Sequence, residues 1–362
     1  MKRYMLAALA VSGCTTELGT SSQNTTCTAT NLFAETVCIC QNFRDVGNLV
    51  VGSSVATDAA TLAVMGTSKV INNTQIHGSF LPHGGLEATG NLEVSGDLVS
   101  SATVDDIGNI EVAGDLVVGG DLKGIGRLAV DGSLSVSGRN TFLGYKQINA
   151  TAPYAPAAAP SCGCADADIL DVKAAVAAAK TQNDNAARGV PTSIRNIGLT
   201  VQKLTTGSYY MTDLSAIGAT KVAIDGHVSL YLDGDLESIG AAWIRLENGA
   251  MLDLYVSGNV RTIGHVDLGN KWAPSAFRLY VGGSDEATLS VGNQIFNGAI
   301  YAPRADLTYV GNTKIRGAVT AREIHGIGNL EIGYAAPECP SDDPDPTPPP
   351  PPSPDDPPVI IL

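Results

Sequence analysis

Aromatic residues are scarce, with Phe, Trp and Tyr making up 5% of 362 residues. That share does not suit a sugar-binding cleft floored with stacked rings. Basic residues are also few, 22 Lys and Arg against 36 Asp and Glu, for a formal net charge of −14. An acidic chain argues against nucleic acid as a partner. The apolar run from Met5 to Val11 is too short to span a bilayer, and no other segment reads as a membrane span. The five histidines, His77, His83, His227, His265 and His325, are scattered. No Ser-His-Asp elbow, His-Glu-x-x-His pair or phosphate loop accompanies them. The sequence therefore assigns no catalytic residue, no cofactor and no metal ligand, and the expectation is a non-enzymatic protein.

Glycine, by contrast, is abundant at 40 residues. Ile-Gly recurs at Ile107, Ile125, Ile197, Ile217, Ile239, Ile263 and Ile327, with steps of 18, 72, 20, 22, 24 and 64 residues. A Gly-rich repeat of about 20 residues with branched apolar side chains reads as a solenoid. The best register is Gly90-Asn-Leu-Glu-Val-Ser-Gly-Asp-Leu98, matched eighteen residues on at Gly108–Leu116 and again at Gly126–Leu134. An eroded copy begins at Asn72, and a fainter one carries Gly144 and Ile148. Period-two alternation turns Leu92, Val94 and Leu98 inward and Glu93, Ser95 and Asp97 outward. Gly96, Gly114 and Gly132 fall where a corner with positive φ is expected. Asn73, Asn91 and Asn109 share one phase and predict an amide ladder along the stacking axis. Asp97, Asp115 and Asp121 beside glycines read as solvated corners rather than calcium ligands.

The fold class expected is all-β: a parallel β-helix (β-solenoid) of about 18–24 residues per coil, with one inserted amphipathic helix and a disordered Pro-rich tail. Its segments are 1–13 signal peptide, 14–45 tether and Cys-rich cap, 46–150 first solenoid block, 151–191 Pro/Ala linker and helix, 192–336 second block, and 337–362 tail. The helix is expected between Asp166 and Gly189. Asp166 or Asp168 would cap its start, Ile169, Val172 and Val176 would share one face, and Gly189 with Pro191 would end it. The tail holds five prolines from Pro348 to Pro352, between acidic residues, and reads as a spacer.

Of seven cysteines, Cys14 stands apart. Val11-Ser12-Gly13-Cys14 follows a short basic start and apolar run and resembles the bacterial lipobox, which implies cleavage before Cys14 and lipidation of that residue. Thr15 is not the Asp that retains such lipoproteins at the inner membrane, so the resemblance implies an outer-membrane lipoprotein of the cell envelope, held to the lipid bilayer through Cys14. The six others, Cys27, Cys38, Cys40, Cys162, Cys164 and Cys339, are disulfide candidates, with 15 connectivities open.

In the second half, Leu230-Tyr-Leu-Asp-Gly matches Leu254-Tyr-Val-Ser-Gly, and Ile295-Phe-Asn-Gly-Ala echoes Lys314-Ile-Arg-Gly-Ala. Leu279–Gly283, Asn297–Pro303 and Gly328–Ile332 resemble an uncharacterised bacterial β-solenoid domain of unknown function, found in exported and surface-associated proteins, over about 162–334. The Gly-Asp-Leu repeat of the first half is loosely similar to bactofilin-like polymer-forming solenoids. Neither likeness supplies catalytic residues. The function expected is a structural, adhesive or assembly role at the envelope, with envelope polysaccharide or self-association as partner. The alternative is a glycan-binding or polysaccharide-degrading surface β-helix.

Overall fold

The computed structural model describes residues 32–333, apart from 34, 53–59, 161, 198–199, 248, 264–265, 271–272, 285 and 292–293. The protein is all-β, and its strands pair in parallel as one solenoid-like sheet that closes on itself. The alternation of the sequence drives this winding. Leu92, Ile110 and Leu128 stack in one inner column and Val94, Val112 and Val130 in the next, all buried, while Glu93, Ser95 and Asp97 face solvent. In-register stacking puts like residues about 4.8 Å apart and buries a thin continuous core.

The two blocks form a single rod, but not in chain order. The final coil of the second block lies on the first strands of the chain. Val37–Ile39 pairs with Val319, Thr320 and Ala321, and Phe43–Val51 pairs with Ile324 through Ile332 over nine positions. The rod therefore runs from Ser193 to Gly333 and continues from Val37 to Thr151. The wall thus begins before residue 46: the strand Val37–Ile39, with Cys38, and the start of Phe43–Val51 fall in the segment 14–45 expected to be a tether and cap.

A strap carries the chain from the far end at Thr151 back to the rod's beginning. Residues 152–160 have no regular structure, and the helix Val172–Ala179 follows. From Phe43 to Leu143 the wall rises about five rungs, or roughly 24 Å. The eleven residues from Thr151 to Cys162 cover that distance when extended. Two disulfides, Cys38–Cys162 and Cys40–Cys164, fix the strap at the junction of the blocks. Beyond them the Leu170 amide donates to the Tyr301 hydroxyl at 3.0 Å.

The helix covers an outer column of tyrosines. Tyr210, Tyr231, Tyr255, Tyr280 and Tyr301 occupy successive rungs, and Thr320 and Cys38 continue the column. The rings of Tyr231, Tyr255 and Tyr280 stack at 4.7 and 4.5 Å. Val172, Val176 and Ala179 bury against this column, each valine contributing about 1.5–3 kcal/mol. The helix is shorter than the sequence suggests. Asp171, not Asp166 or Asp168, caps it, accepting from the Ala174 amide at 2.9 Å. A separate turn, Asn185–Arg188, ends at Gly189 in the left-handed region, φ 62°.

The tight corner is also displaced from the expected glycines. Gly108 has φ 151°, and a Cβ there would lie 1.8 Å from the Gly90 carbonyl oxygen; Gly96, Gly114 and Gly132 do not have positive φ. The corner column runs through Gly311, Gly328, Gly47, Gly90, Gly108, Gly126 and Gly144, with Asn72 at φ 97° in the same column. Gly96 is required instead by close approach to the Gly78 carbonyl group.

Candidate functional site

The corner glycines divide an outer surface into columns that run along the rod. One residue before the corner lies an apolar column. It runs through Val310, Ile327, Val46, Ile71, Thr89, Ile107, Ile125 and Leu143. Val310 is 50% exposed, and Ile327, Ile107, Ile125 and Leu143 are 61–63% exposed. These side chains point outward because the inner parity belongs to Ile110 and Leu128, an odd number of residues away. The column before it is charged: Arg44 and Lys69 are followed by Glu87 and Asp105, with Lys69 Nζ 2.9 Å from Glu87.

One residue after the corner is the amide ladder. It is longer than Asn73, Asn91 and Asn109. Asn312, Asn329 and Asn48 extend it across the block junction, each amide donating to its neighbour's oxygen. Beside it Gln75, Glu93 and Glu111 form a further column, and Arg127 pairs with Glu111 at 3.0 Å. Asn73, Asn91, Asn109, Gln75, Glu93 and Glu111 line an open groove of about 240 Å³. In the groove, Asn73 and Asn91 each use one N–H and one lone pair in the ladder and have a second of each to offer, and the carboxylates accept from hydroxyls.

The outward aspartates cap backbone. Asp97 accepts from the Asp115 amide at 2.8 Å, Asp115 from Ser133 at 2.7 Å and Asp121 from Arg139 at 2.9 Å. These donors hold Asp115 and Asp121 below the usual carboxylate range. Inside the wall, Asp106 is fully buried, and neither of its oxygens has a hydrogen-bond partner. Burial, with Asp105 beside it, pushes its carboxyl up to about 7. Asp45 lies in the same inner column and accepts from the Tyr309 hydroxyl; burial pushes it up to about 6.

Asp306, Glu323 and His325 place ligand atoms within 4.8 Å of one another. Protein donors already occupy this cluster. Arg322 Nε meets Asp306 at 2.7 Å, Asn42 donates to Glu323 at 2.8 Å, and His325 lies 2.6 Å from Glu323. Neither this cluster nor the groove gathers three carboxylates around a base. His83 contacts Ser101, and His77 and His227 lie apart from both places. His265 falls outside the described residues, as do Cys14, Cys27 and Cys339.

The outward isoleucines, the buried aspartates and the tyrosine column escaped the sequence reading. Parity against Ile110 and Leu128 was the signal for the first. No helix among the described residues is long and apolar enough to cross a membrane. No curated protein and no solved structure matches the chain. Residues 162–336, the strap from Cys162 onward and the second block, match the model of a domain of unknown function, DUF7305.

Proposed function

We propose that this protein is a lipid-anchored, non-enzymatic β-solenoid of the cell envelope with a structural, adhesive or assembly role. One observation carries the reading. The described chain forms a continuous rod stapled across its junction by two disulfides, and its outer surface consists of repeating columns rather than a convergent catalytic pocket. Disulfides belong with an oxidising compartment, and the lipobox-like Val11–Cys14 supports export and acylation. The fit of the first block to a polymer-forming, bactofilin-like wall rests on its eighteen-residue register. The test is acyl labelling and fractionation. The wild-type chain should incorporate labelled palmitate and sediment with outer membranes, and Cys14→Ala should be unlabelled. Wild-type protein that is exported but unlabelled would overturn the anchor.

A second reading is favoured by the groove beside the amide ladder. Its amides and carboxylates match the donors and acceptors of a polysaccharide laid along the rod. A glycan array with purified Cys14→Ala protein should then give binding that Glu93→Gln with Glu111→Gln reduces at least tenfold. An array without signal removes this reading.

A further inference from the structure

A solenoid associates most simply by adding a coil at its end, and both ends of this rod resist that. At the first end, Asp184 and Asn185 already occupy the stretch of edge from Ser208 to Tyr210. The Asp184 amide donates to the Ser208 carbonyl at 2.7 Å, and its carboxylate accepts from the Ser208 amide at 2.8 Å. Asn185, itself buried, exchanges two hydrogen bonds of 2.9 Å with the Tyr210 backbone. At the other end, Leu143–Thr151 places Lys146 on Leu128, in an inner column whose other members are uncharged, such as Leu49, Thr74, Leu92 and Ile110. A charge in an inner position blunts a strand edge against addition.

The apolar column is not blunted. From Val310 to Leu143 it spans about 34 Å at one rung each, interrupted by Thr89 and half-buried at Val46 and Ile71; it crosses the junction, and the pairing of Val310 with Val291 carries it one rung further. Exposed apolar patches of this extent mark contact surfaces. The charged column changes sign at the step between Ile71 and Thr89. Arg44 and Lys69 lie on one side, Glu87 and Asp105 on the other.

We propose that this edge joins two copies of the chain, side by side and antiparallel, about a two-fold axis between Ile71 and Thr89. The proposal rests on the structural reading above and names the partner as a second copy. Under that axis the stripe meets itself, with Val46 against Ile107, Ile327 against Ile125 and Val310 against Leu143. The charged column also meets itself reversed, bringing Lys69 to Glu87 and Arg44 to Asp105, as an isologous contact requires. The outermost members, Lys123 and His325, meet with their own acids Asp121 and Glu323 beside them. A parallel pair instead sets the charged column against the uncharged amide ladder of the other copy, so Lys69 and Glu87 find no opposite charge across the contact.

The test uses the full chain carrying Cys14→Ala, so that no acyl group contributes to association. Sedimentation equilibrium should give a dimer. Ile107→Lys, at an exposed position, should leave the circular dichroism and melting profile unchanged. Because it enters the interface twice, it should weaken association about a hundredfold. Lys69→Glu should weaken the dimer, and Lys69→Glu with Glu87→Lys should restore it. Orientation is read with a short thiol-to-thiol cross-linker against the parent lacking the added thiol. Thr89→Cys, beside the axis, should cross-link to a dimer and Leu143→Cys should not; a parallel pair links both. A monomer at every concentration, or efficient linking through Leu143→Cys, overturns the proposal. A monomer whose Cys14-bearing parent is still acylated removes the dimer and leaves the envelope rod intact.

Discussion

The first and second blocks stack by the same parallel rule, yet they solve the wall differently. From Leu86 to Ile148 the register offset is eighteen: Leu86 on Val104, Val104 on Leu122, Ile125 on Leu143. In the second block it drifts. Thr200 lies on Thr220, Leu236 on Val260, Asp267 on Ile295 and Ile300 on Val319, offsets of 20, 24, 28 and 19. A constant offset keeps like over like, so aliphatic rungs close the interior and both outer faces remain open to water. A drifting offset changes the cross-section from rung to rung. Phe277 and Phe296 pack against each other there with ring centroids 5.3 Å apart, and an outer tyrosine column requires a helix to cover it. Regularity removes the need for a cover.

The sharpest way to break the regular wall is at its corner. Gly47 has φ 153°, and a Cβ there would sit 1.5 Å from the Gly328 carbonyl oxygen, at the junction of the blocks. Gly47→Ala should abolish the native rod or cost more than about 4 kcal/mol. Gly249, in the second block, has φ 71° with open space around it, and Gly249→Ala should cost about 1 kcal/mol from the left-handed backbone. Denaturant unfolding followed by far-ultraviolet dichroism checks both. Equal losses would mean that the corner tolerates a shift that its geometry argues against.

The strap provides the next test. Cys162→Ser with Cys164→Ser opens a loop of sequence separation 124, and loop-closure entropy sets the loss at up to about 5 kcal/mol. The two blocks should respond unequally. Hydrogen exchange should lose its protection over Val172–Ala179, which covers the tyrosine column, and keep it over Val104–Val112. Uniform loss would show that the strap stabilises the whole wall rather than its second half.

A third contrast lies in buried charge. The second block pairs its buried Arg278 with Asp253 at 2.5 Å, whereas the first block leaves Asp106 without a partner. Asp106 ordinarily titrates at 3.8 and in the folded wall at about 7. The folded chain therefore keeps a proton that the unfolded chain releases between those values. Stability is full below about pH 4, falls as pH rises, and levels off above about 7. At 1.36 kcal/mol per unit the loss is on the order of 4 kcal/mol at most. Asp106→Asn should raise the melting temperature at pH 8, leave it nearly unchanged at pH 4 and flatten the slope between them. The smaller slope from Asp45, pushed up to about 6, should remain. An unchanged slope in Asp106→Asn would mean that water reaches the carboxylate.

The constant offset also explains how much of the first block was legible. Because eighteen residues return each rung to the same phase, Leu92, Ile110 and Leu128 announce their shared column without any structure. The order of the rod was harder to read. Its signal is one four-residue echo, Val46-Gly-Asn-Leu against Ile327-Gly-Asn-Leu, separated by 281 residues, and no local rule sets an N-terminal coil on a C-terminal one. The helix start was ambiguous because Asp166, Asp168 and Asp171 all satisfy the capping chemistry, and a tertiary hydrogen bond at Leu170 decides among them. Gly96 and Gly108 are likewise both glycines that recur every eighteen residues, in two different columns, and only the stacked backbone shows which column takes positive φ. The groove beside the ladder needed both the phase of Asn91 and the outward parity of Glu93, and both were legible.

The amide ladder should give the smallest effect, and it separates the two walls most finely. Asn91 donates to Asn73 at 2.9 Å and accepts from Asn109 at 2.8 Å on an exposed face. Water competes for both bonds, so each contributes about 0.5–1 kcal/mol net. Asn91→Ala should therefore cost about 1 kcal/mol or slightly more, far less than the corner glycine one residue before it. Tyr255→Leu, which interrupts the stacked column of the second block between Tyr231 and Tyr280, should cost more, because its ring is covered and its neighbours lose edge and face contacts together. Denaturant midpoints of the two variants, measured in one buffer, settle the ranking. A loss above about 2 kcal/mol in Asn91→Ala would mean that the six amides strengthen one another along the axis, and that the regular wall is held at its surface as well as by its core.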